Sequence, residues 1–513
     1  MRLDPRTPVL VGAGQVTNRP GVASPFPPGV DPPGPGAEPL ELMVAAVRAA
    51  AADCEGAGAG DRLLTQTASL RVIRPLSWHY TDAATPLARR LGIEPGELAQ
   101  SAIGGNSPQM VASASARAIA AGELDVVVIT GAECMGSRMA YRRAHDGAEP
   151  PWSVQPSTTP APVPLGTDRA PITDEEGRTG LVQPIHVYPL FEQAIRSAAG
   201  RSPKEHAEIV GALWARFSAV AAGNPWAWDR HQWSAEELVT PAPDNRMIAT
   251  PYTKRMVAYD RVDQGAALLM CSVERAQAAG VPQDRWVFPV AGADAHDHWF
   301  ITGRDDLGRS PAIAAAGRAV LGFGGGTVDD VAHVDLYSCF PCAVQMGAEA
   351  LGLGIDDPSR PLTVTGGLSF FGGPINDYAT HAIAQMAHEL RHDPGSLGLV
   401  TALGWYATKH AVGLWSTSPP AGGFRWADVQ DEVDALPRRQ SAEDHVGDVT
   451  VETYTVICDR DGLPERAICA LLTADGQRTW GTSTDPGTVS DLADTDGLGR
   501  RATVDGNRHV ALH

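Results

Sequence analysis

The chain has 513 residues, 43% of them apolar and 20% charged, with a formal net charge of −19 and seven cysteines. That length predicts two or more domains, and no apolar run approaches the roughly 18 to 20 residues of a membrane helix. The acidic balance argues against nucleic-acid binding, which depends on clustered Lys and Arg, and the odd, scattered cysteines suit reduced thiols better than a disulfide framework.

In chain order, "MRLDPRTPVLVGAGQVTNRP" lacks an apolar signal core and passes directly into a strand-like "PVLVGAGQVT". Secretion is therefore not expected, and a cytoplasmic location follows. Arg19 to Pro39 is rich in Pro and Gly and reads as a loop. "LELMVAAVRAAAADC" has helical composition and "SLRVIRPL" is short and β-branched, so helices and strands begin to alternate. "AIGGNSPQM", Ala102 to Met110, opens a helix through "VASASARAIAAG", whose one charge is Arg117. Paired glycines at such a junction permit positive φ and close backbone approach, and the first free N–H groups of a helix form an anion site. "VVVIT", Val126 to Thr130, reads as a buried parallel strand. From about Ser137 to Thr253, Trp, Pro and Arg with shorter helices suggest an insertion capping the core, in which Trp214, Trp226 and Trp228 are expected to pack rather than stack on a ligand. The α/β pattern resumes at "DQGAALLMCS", Asp263 to Ser272. "VGAGQV" and "GFGGGT" lack the spacing and context of a dinucleotide site, and the second is read as a loop.

"GGNSPQMVASASARAIAAGELDVVVITGAE" from Gly104 is echoed by "GGPINDYATHAIAQMAHELRHDPGSLGLVTALG" from Gly372. Paired Gly, helix, turn and apolar strand recur, which predicts two related α/β domains packed together. Beyond Thr417, alternating segments are punctuated by Asp461-Gly462 and Asp475-Gly476, strong hairpin chemistry. A separate small β domain, OB-like in length, is expected there. The domain plan is 1–137 with 254–288 as the first half, 138–253 as the insertion, 289–417 as the second half and 418–513 as the β domain.

The insertion after "TGAECM", the return "PYTKRMVAYDRVDQGAALL", the central "YSCF" and the late "GGP" occur in the order of the thiolase superfamily. Over roughly residues 5 to 417 the chain resembles that superfamily, looking closest to its sterol-carrier-protein type and, with the extra C-terminal domain, to the type-1 thiolase-like proteins. The resemblance implies a duplicated α-β-α-β-α layered α/β core. It also implies a cysteine nucleophile at Gly105, an Asn or His at Tyr337, a histidine at Gly373 and a second cysteine at Leu403 or an immediate neighbour. None of those side chains is present, so thiolytic activity is not carried over. Backbone N–H groups of Gly105 and about Trp405 would persist as a partial oxyanion hole. The implied ligand is a CoA thioester or related acyl compound of lipid metabolism, with no cofactor or metal. Dimers are implied too, although the extra domain could cover the sheet edge and leave a monomer.

Among residues left for chemistry, Cys339 is a nucleophile candidate or a buried small hydrophobe, and its spacing to Cys342 is a weak metal or redox signal. His410, beside Lys409, is a general-base candidate or part of a helix-end or solvent-facing pair. His381 reads as a hydrogen-bonded helix residue. Three functions stay open: an acyl-ligand binder without turnover; an acyltransferase or carbon–carbon lyase using Cys339, Tyr337 or His410 in new roles; and a scaffold recruiting a protein partner through the C-terminal β domain.

Overall fold

In the computed structural model, which describes residues 3–22, 25–27 and 29–513, the first apolar segment forms β1 (Pro8–Thr17) against the Pro39–Asp53 helix. "VGAGQV" is a packing motif: a Cβ at Gly12 or Gly14 would lie 2.0 or 2.2 Å from the carbonyl oxygens of Ala50 and Ala46. Of the Pro/Gly-rich stretch before that helix, residues 23, 24 and 28 lie outside the described residues, and the rest holds no helix or strand.

The first sheet contains β1, β2 (Ser69–Val72), β3 (Glu97–Ser101), β4 (Val126–Cys134), β5 (Val163–Leu165) and β8 (Asp263–Ser272), in the order β1-β8-β4-β2-β3-β5. The hairpin β6 (Met247–Ala249) and β7 (Tyr252–Thr253) belongs to the insertion. The second sheet contains β9 (Phe288–His296), β10 (Val331–Asp335), β11 (Leu397–Gly404), β12 (Lys409–Ser416) and β13 (Arg425–Asp428), in the order β10-β11-β12-β9-β13. Both sheets share one pattern. β2–β4–β8–β1 and β10–β11–β12–β9 each run parallel, antiparallel, antiparallel. The Ser107–Ala121 and Tyr378–His392 helices lead into β4 and β11 and pack on each other. Their small buried residues, Ala112 and Ala116 on one and Ala382 and Ala384 on the other, allow close approach in the middle layer. The duplication expected from the two Gly-Gly segments is thus the architecture of the core.

The "GFGGGT" segment departs from the loop expected. The Pro311–Gly324 helix continues into it and ends at Gly325 with φ +75°. Gly324 is needed because a Cβ there would sit 2.5 Å from Leu414 Cδ2. The insertion also departs from expectation in helix length, since Pro203–Gly223 runs for 21 residues behind a Ser202/Glu205 capping box. Its β5 pairs with β3, so the edge of the first sheet is covered by the insertion and not by the C-terminal domain.

That C-terminal domain comprises β14 (Gly447–Cys458), β15 (Pro464–Leu472), β16 (Arg478–Ser483), β17 (Arg501–Val504) and β18 (Val510–Leu512). The predicted Asp-Gly turns join β14 to β15 and β15 to β16, with Gly462 and Gly476 at φ +86° and +80°. A parallel bridge between Thr482 and His509 brings the two end strands together, and the Pro486–Asp494 helix separates β16 from β17. The domain is anchored to the insertion and core. Arg196 makes a bidentate pair with Asp496 at 2.7 and 2.6 Å, and the fully buried Arg478 pairs with Glu452 while donating to the Ile301 and Thr302 carbonyls. β6 pairs with β14 at Ala249–Ile457. Among the described residues no helix is long and apolar enough to cross a membrane.

Candidate functional site

The two Gly-Gly pairs open the two middle-layer helices, with Gly104 at φ +151° and Gly372 at φ +118°. A side chain from the start of a neighbouring strand fills the space beside each. A Cβ on Gly104 would lie 2.9 Å from Lys409 Nζ, and one on Gly372 would lie 2.2 Å from Gln264 Oε1. Lys409 pairs with Gly404 on β11, as Gln264 pairs with Glu133 on β4, so the two fillers stand at matching places in the halves. The helix beginnings face each other: Gly104 N–H donates to Asn376 Oδ1 at 3.0 Å, and Tyr337 O–H donates to the Ile375 carbonyl at 3.4 Å.

Between them, Gly105, Tyr337 and Leu403 come together. A Cβ at Gly105 would be 2.1 Å from Tyr337 Oη and 2.5 Å from the Leu403 carbonyl oxygen. The Tyr337 phenol therefore takes the volume that a side chain at position 105 would need. Burial pushes its hydroxyl well above the usual tyrosine range, with Cys339 adding to the shift, so it remains a neutral donor. Trp405 follows β11 at φ +59°, and its turn is fixed by Tyr188, whose O–H donates to the Trp405 carbonyl at 2.8 Å while its Oη accepts from Ala407 N–H at 3.0 Å. Among the described residues neither the Gly105 nor the Trp405 amide donates to a protein acceptor. Gly373 lies at the second mouth, its N–H bonded to the Tyr259 carbonyl at 2.8 Å.

The other candidates are placed differently. Cys339 is partly exposed beside this centre; burial pushes its thiol up to about 12, against a lowering contact from the Tyr188 hydroxyl, so it is not a thiolate near neutral pH. Cys342 donates to the Tyr188 carbonyl at 3.3 Å, and both sulfurs are free thiols. His410 points to the opposite sheet face from Lys409, as alternation along β12 requires. Its Nε2 lies 3.1 Å from Asp297 Oδ2, 3.1 Å from the Ala407 carbonyl and 3.3 Å from Ser310 Oγ, at the cap of the Pro311–Gly324 helix. Neither Lys409 nor His410 is solvent-facing, at 6% and 2% exposure. His381 bonds Gln15 Oε1 through Nδ1 at 3.0 Å, and burial lowers its pKa to about 3. Trp214 is buried in the core, with Trp226 and Trp228 half-buried at its margin. Among the described residues no cluster of His, Cys, Asp and Glu could hold a metal ion.

Asp297 and Ser310, which hold His410, were not foreseen, nor was Asp294, whose Oδ1 is buried without a partner. Asp294 lies on β9 and Asp297 just past its end, where the register of β9 with β12 brings them to Lys409 and His410, and Ser310 caps the helix that follows.

Residues 428–508 match the family model for the additional C-terminal domain of thiolase-like protein type 1. A monomeric SCP2-thiolase-like protein type 1 from Mycobacterium smegmatis is 35% identical, with 100% of both chains covered and a TM-score of 0.83. An acetyl-CoA acetyltransferase from Syntrophomonas wolfei shares the fold at 14% identity, over 80% of this chain and 99% of the other, with a TM-score of 0.54. The dimeric peroxisomal thiolase of Saccharomyces cerevisiae does so at 13% identity, over 81% and 99%, with a TM-score of 0.55. No curated relative matches the sequence. End-to-end similarity to the mycobacterial protein, together with the matched C-terminal domain, shows that the chain belongs to the SCP2-thiolase-like protein type 1 family within the thiolase superfamily.

Proposed function

We propose that this protein holds a CoA thioester or related acyl ligand of cytoplasmic lipid metabolism at the mouth between its halves, without thiolytic turnover. The observation that carries the reading is the contact between Gly105 and Tyr337 Oη, which leaves no room for a nucleophilic side chain at position 105. Tyr337 and Cys339 both hold their protons at neutral pH, so neither supplies an anionic nucleophile to replace it. The Gly105 and Trp405 amides, and the Tyr337 hydroxyl once its proton turns from the Ile375 carbonyl, are donors suited to an acyl oxygen. The C-terminal domain, with one helix between its third and fourth strands as in OB-type barrels, braces the insertion through the Arg196–Asp496 pair and the second half through Arg478, which donates to the Ile301 and Thr302 carbonyls.

Calorimetric titration with acetyl-CoA and acetoacetyl-CoA tests this. Binding is expected to raise thermal stability, no CoA-dependent cleavage is expected, and Tyr337→Phe is expected to weaken binding about five-fold, the loss of one neutral hydrogen bond. Absence of binding by any CoA ester, or thiolysis by the intact chain, would overturn the reading.

A further inference from the structure

Of the 41 Lys and Arg side chains, only Lys204, Lys254 and Lys409 are lysines. The first two are exposed, whereas Lys409 is buried at 6% exposure. Its Nζ donates to the Ile103 carbonyl and, at 3.2 Å, to the Thr167 carbonyl. No carboxylate is ion-paired with it among the described residues, so a buried amine sits here on two neutral acceptors. Elsewhere in this arginine-rich chain, buried cations such as Arg196 and Arg478 meet carboxylates.

Lys409 lines a cavity of about 230 Å³ between the first turn of the Ser107–Ala121 helix and the β9–β12 face of the second sheet. Asp294 stands on the same wall. Its Oδ2 accepts from Trp426 Nε1 at 2.6 Å, while Oδ1 is buried without a partner. Asn106 Oδ1, also at this cavity, is likewise unpartnered. An arginine would remain a cation in such a place; a lysine can surrender its proton when desolvated. Burial lowers the Lys409 amine to about 8, with Asp168 opposing, and raises the Asp294 carboxyl to about 6.

We propose that Lys409 is a carbonyl-reactive amine, and that the cavity admits a small aldehyde or ketone which condenses with Nζ to form an imine. A volume somewhat above that of an engineered cavity able to hold benzene suits a compound of up to about nine non-hydrogen atoms. The Nζ lone pair adds to the carbonyl carbon, forming the C–N bond as the carbonyl π pair moves to oxygen, and one proton passes from the nitrogen to that oxygen to give a neutral carbinolamine. Asp294 then protonates the departing hydroxyl, which leaves as water, and takes back the proton that nitrogen releases as C=N forms. The net change is amine plus carbonyl to imine plus water, with no oxidant or reductant.

The test uses the full chain, propanal and sodium cyanoborohydride near neutral pH, with peptide mass spectrometry of the three lysines. Near neutral pH an amine of pKa about 8 is free in about a two-hundred-fold greater fraction than an ordinary lysine. Allowing for restricted access, Lys409 is expected to be propylated at least about ten-fold faster than exposed Lys204. Asp294→Asn is expected to slow labelling at Lys409 about ten-fold or more while leaving Lys204 unchanged, as loss of a proton carrier does. Labelling of Lys409 no faster than Lys204 would overturn the assignment, as would an unchanged Lys409 rate in a folded Asp294→Asn protein. Should that variant not fold, the wild-type ratio alone decides. No CoA ester enters the experiment, so its outcome is independent of the acyl-ligand reading.

Discussion

Replacing Gly105 by alanine would place a Cβ 2.1 Å from Tyr337 Oη and 2.5 Å from the Leu403 carbonyl oxygen. The first contact is with a ring end held in a packed interior, at 6% exposure; the second is with backbone at the end of β11 and has little freedom to yield. Overpacking of this kind costs about 3 kcal/mol. Tyr337→Ala removes a buried aromatic ring and costs about 3 to 5 kcal/mol. If the phenol fills the space a side chain at 105 would occupy, the two losses cannot add. In Gly105→Ala/Tyr337→Ala the new methyl no longer meets the hydroxyl, and the double variant should be about 1 to 2 kcal/mol more stable than the sum of the singles predicts. Only the Leu403 carbonyl clash should remain. Urea denaturation of the four proteins, followed by tryptophan fluorescence, measures the cycle. Additivity within about 0.5 kcal/mol would refute the reciprocal packing of Gly105 and Tyr337, and with it the account of why position 105 has no room for a side chain.

Further outcomes follow from features elsewhere in the molecule. Arg196→Ala is expected to cost about 1 to 2 kcal/mol, discounted because Asp496 is 41% exposed, and to raise hydrogen exchange in residues 447–513; unchanged exchange there would show that this pair does not anchor the domain. Replacing Val163–Leu165 by Gly-Ser-Gly uncovers the β3 edge, and sedimentation is expected to detect a larger assembly than the parent chain forms; a variant with unaltered mass would show that β5 is not a barrier to edge pairing. Burial raises the Glu133 carboxyl to about 7, although the Leu76 and Ser77 amides bond it at 2.8 and 2.6 Å. Because the folded pKa lies above the unfolded one, Glu133 contributes stability below about pH 4.5 that is lost as pH rises to about 7, at most about 3 kcal/mol. Glu133→Gln should flatten the fall in Tm between pH 5 and 7, and an identical slope would refute the assignment.

The layered core was legible because its signals are local or repeated. Gly-Gly followed by a sparsely charged helix and an apolar strand occurs twice, and Asp-Gly dipeptides mark the two hairpins that join β14 to β15 and β15 to β16. That Gly105, Gly373 and Leu403 bear no acid, base or nucleophile is plain from the residue types themselves. What could not be read is what fills the space beside Gly105, since Tyr337 is more than 200 residues away and meets it only through the packing of the halves. The partners of His410 were hidden for a related reason: strand alternation sends it to Asp297 and Ser310 while Lys409, its neighbour, turns toward the glycine mouth. The burial of Lys409 likewise depends on the Thr167 loop of the insertion, which no periodicity in β12 announces.

The pairing of Ala249 with Ile457 has a consequence for synthesis. A nascent chain emerging from the ribosome presents the β6–β7 hairpin long before its partner strand exists. Until that strand arrives, the Thr250 amide lacks the Val456 carbonyl that it will bond at 2.9 Å, and the wall near Thr302 lacks the Trp480 indole. An open strand edge and an unfilled apolar wall are features to which chaperones and proteases respond. The segment that follows residue 447 thus closes surfaces on segments made before it, and a message truncated before codon 447 is expected to yield not a smaller working core but a product marked for removal.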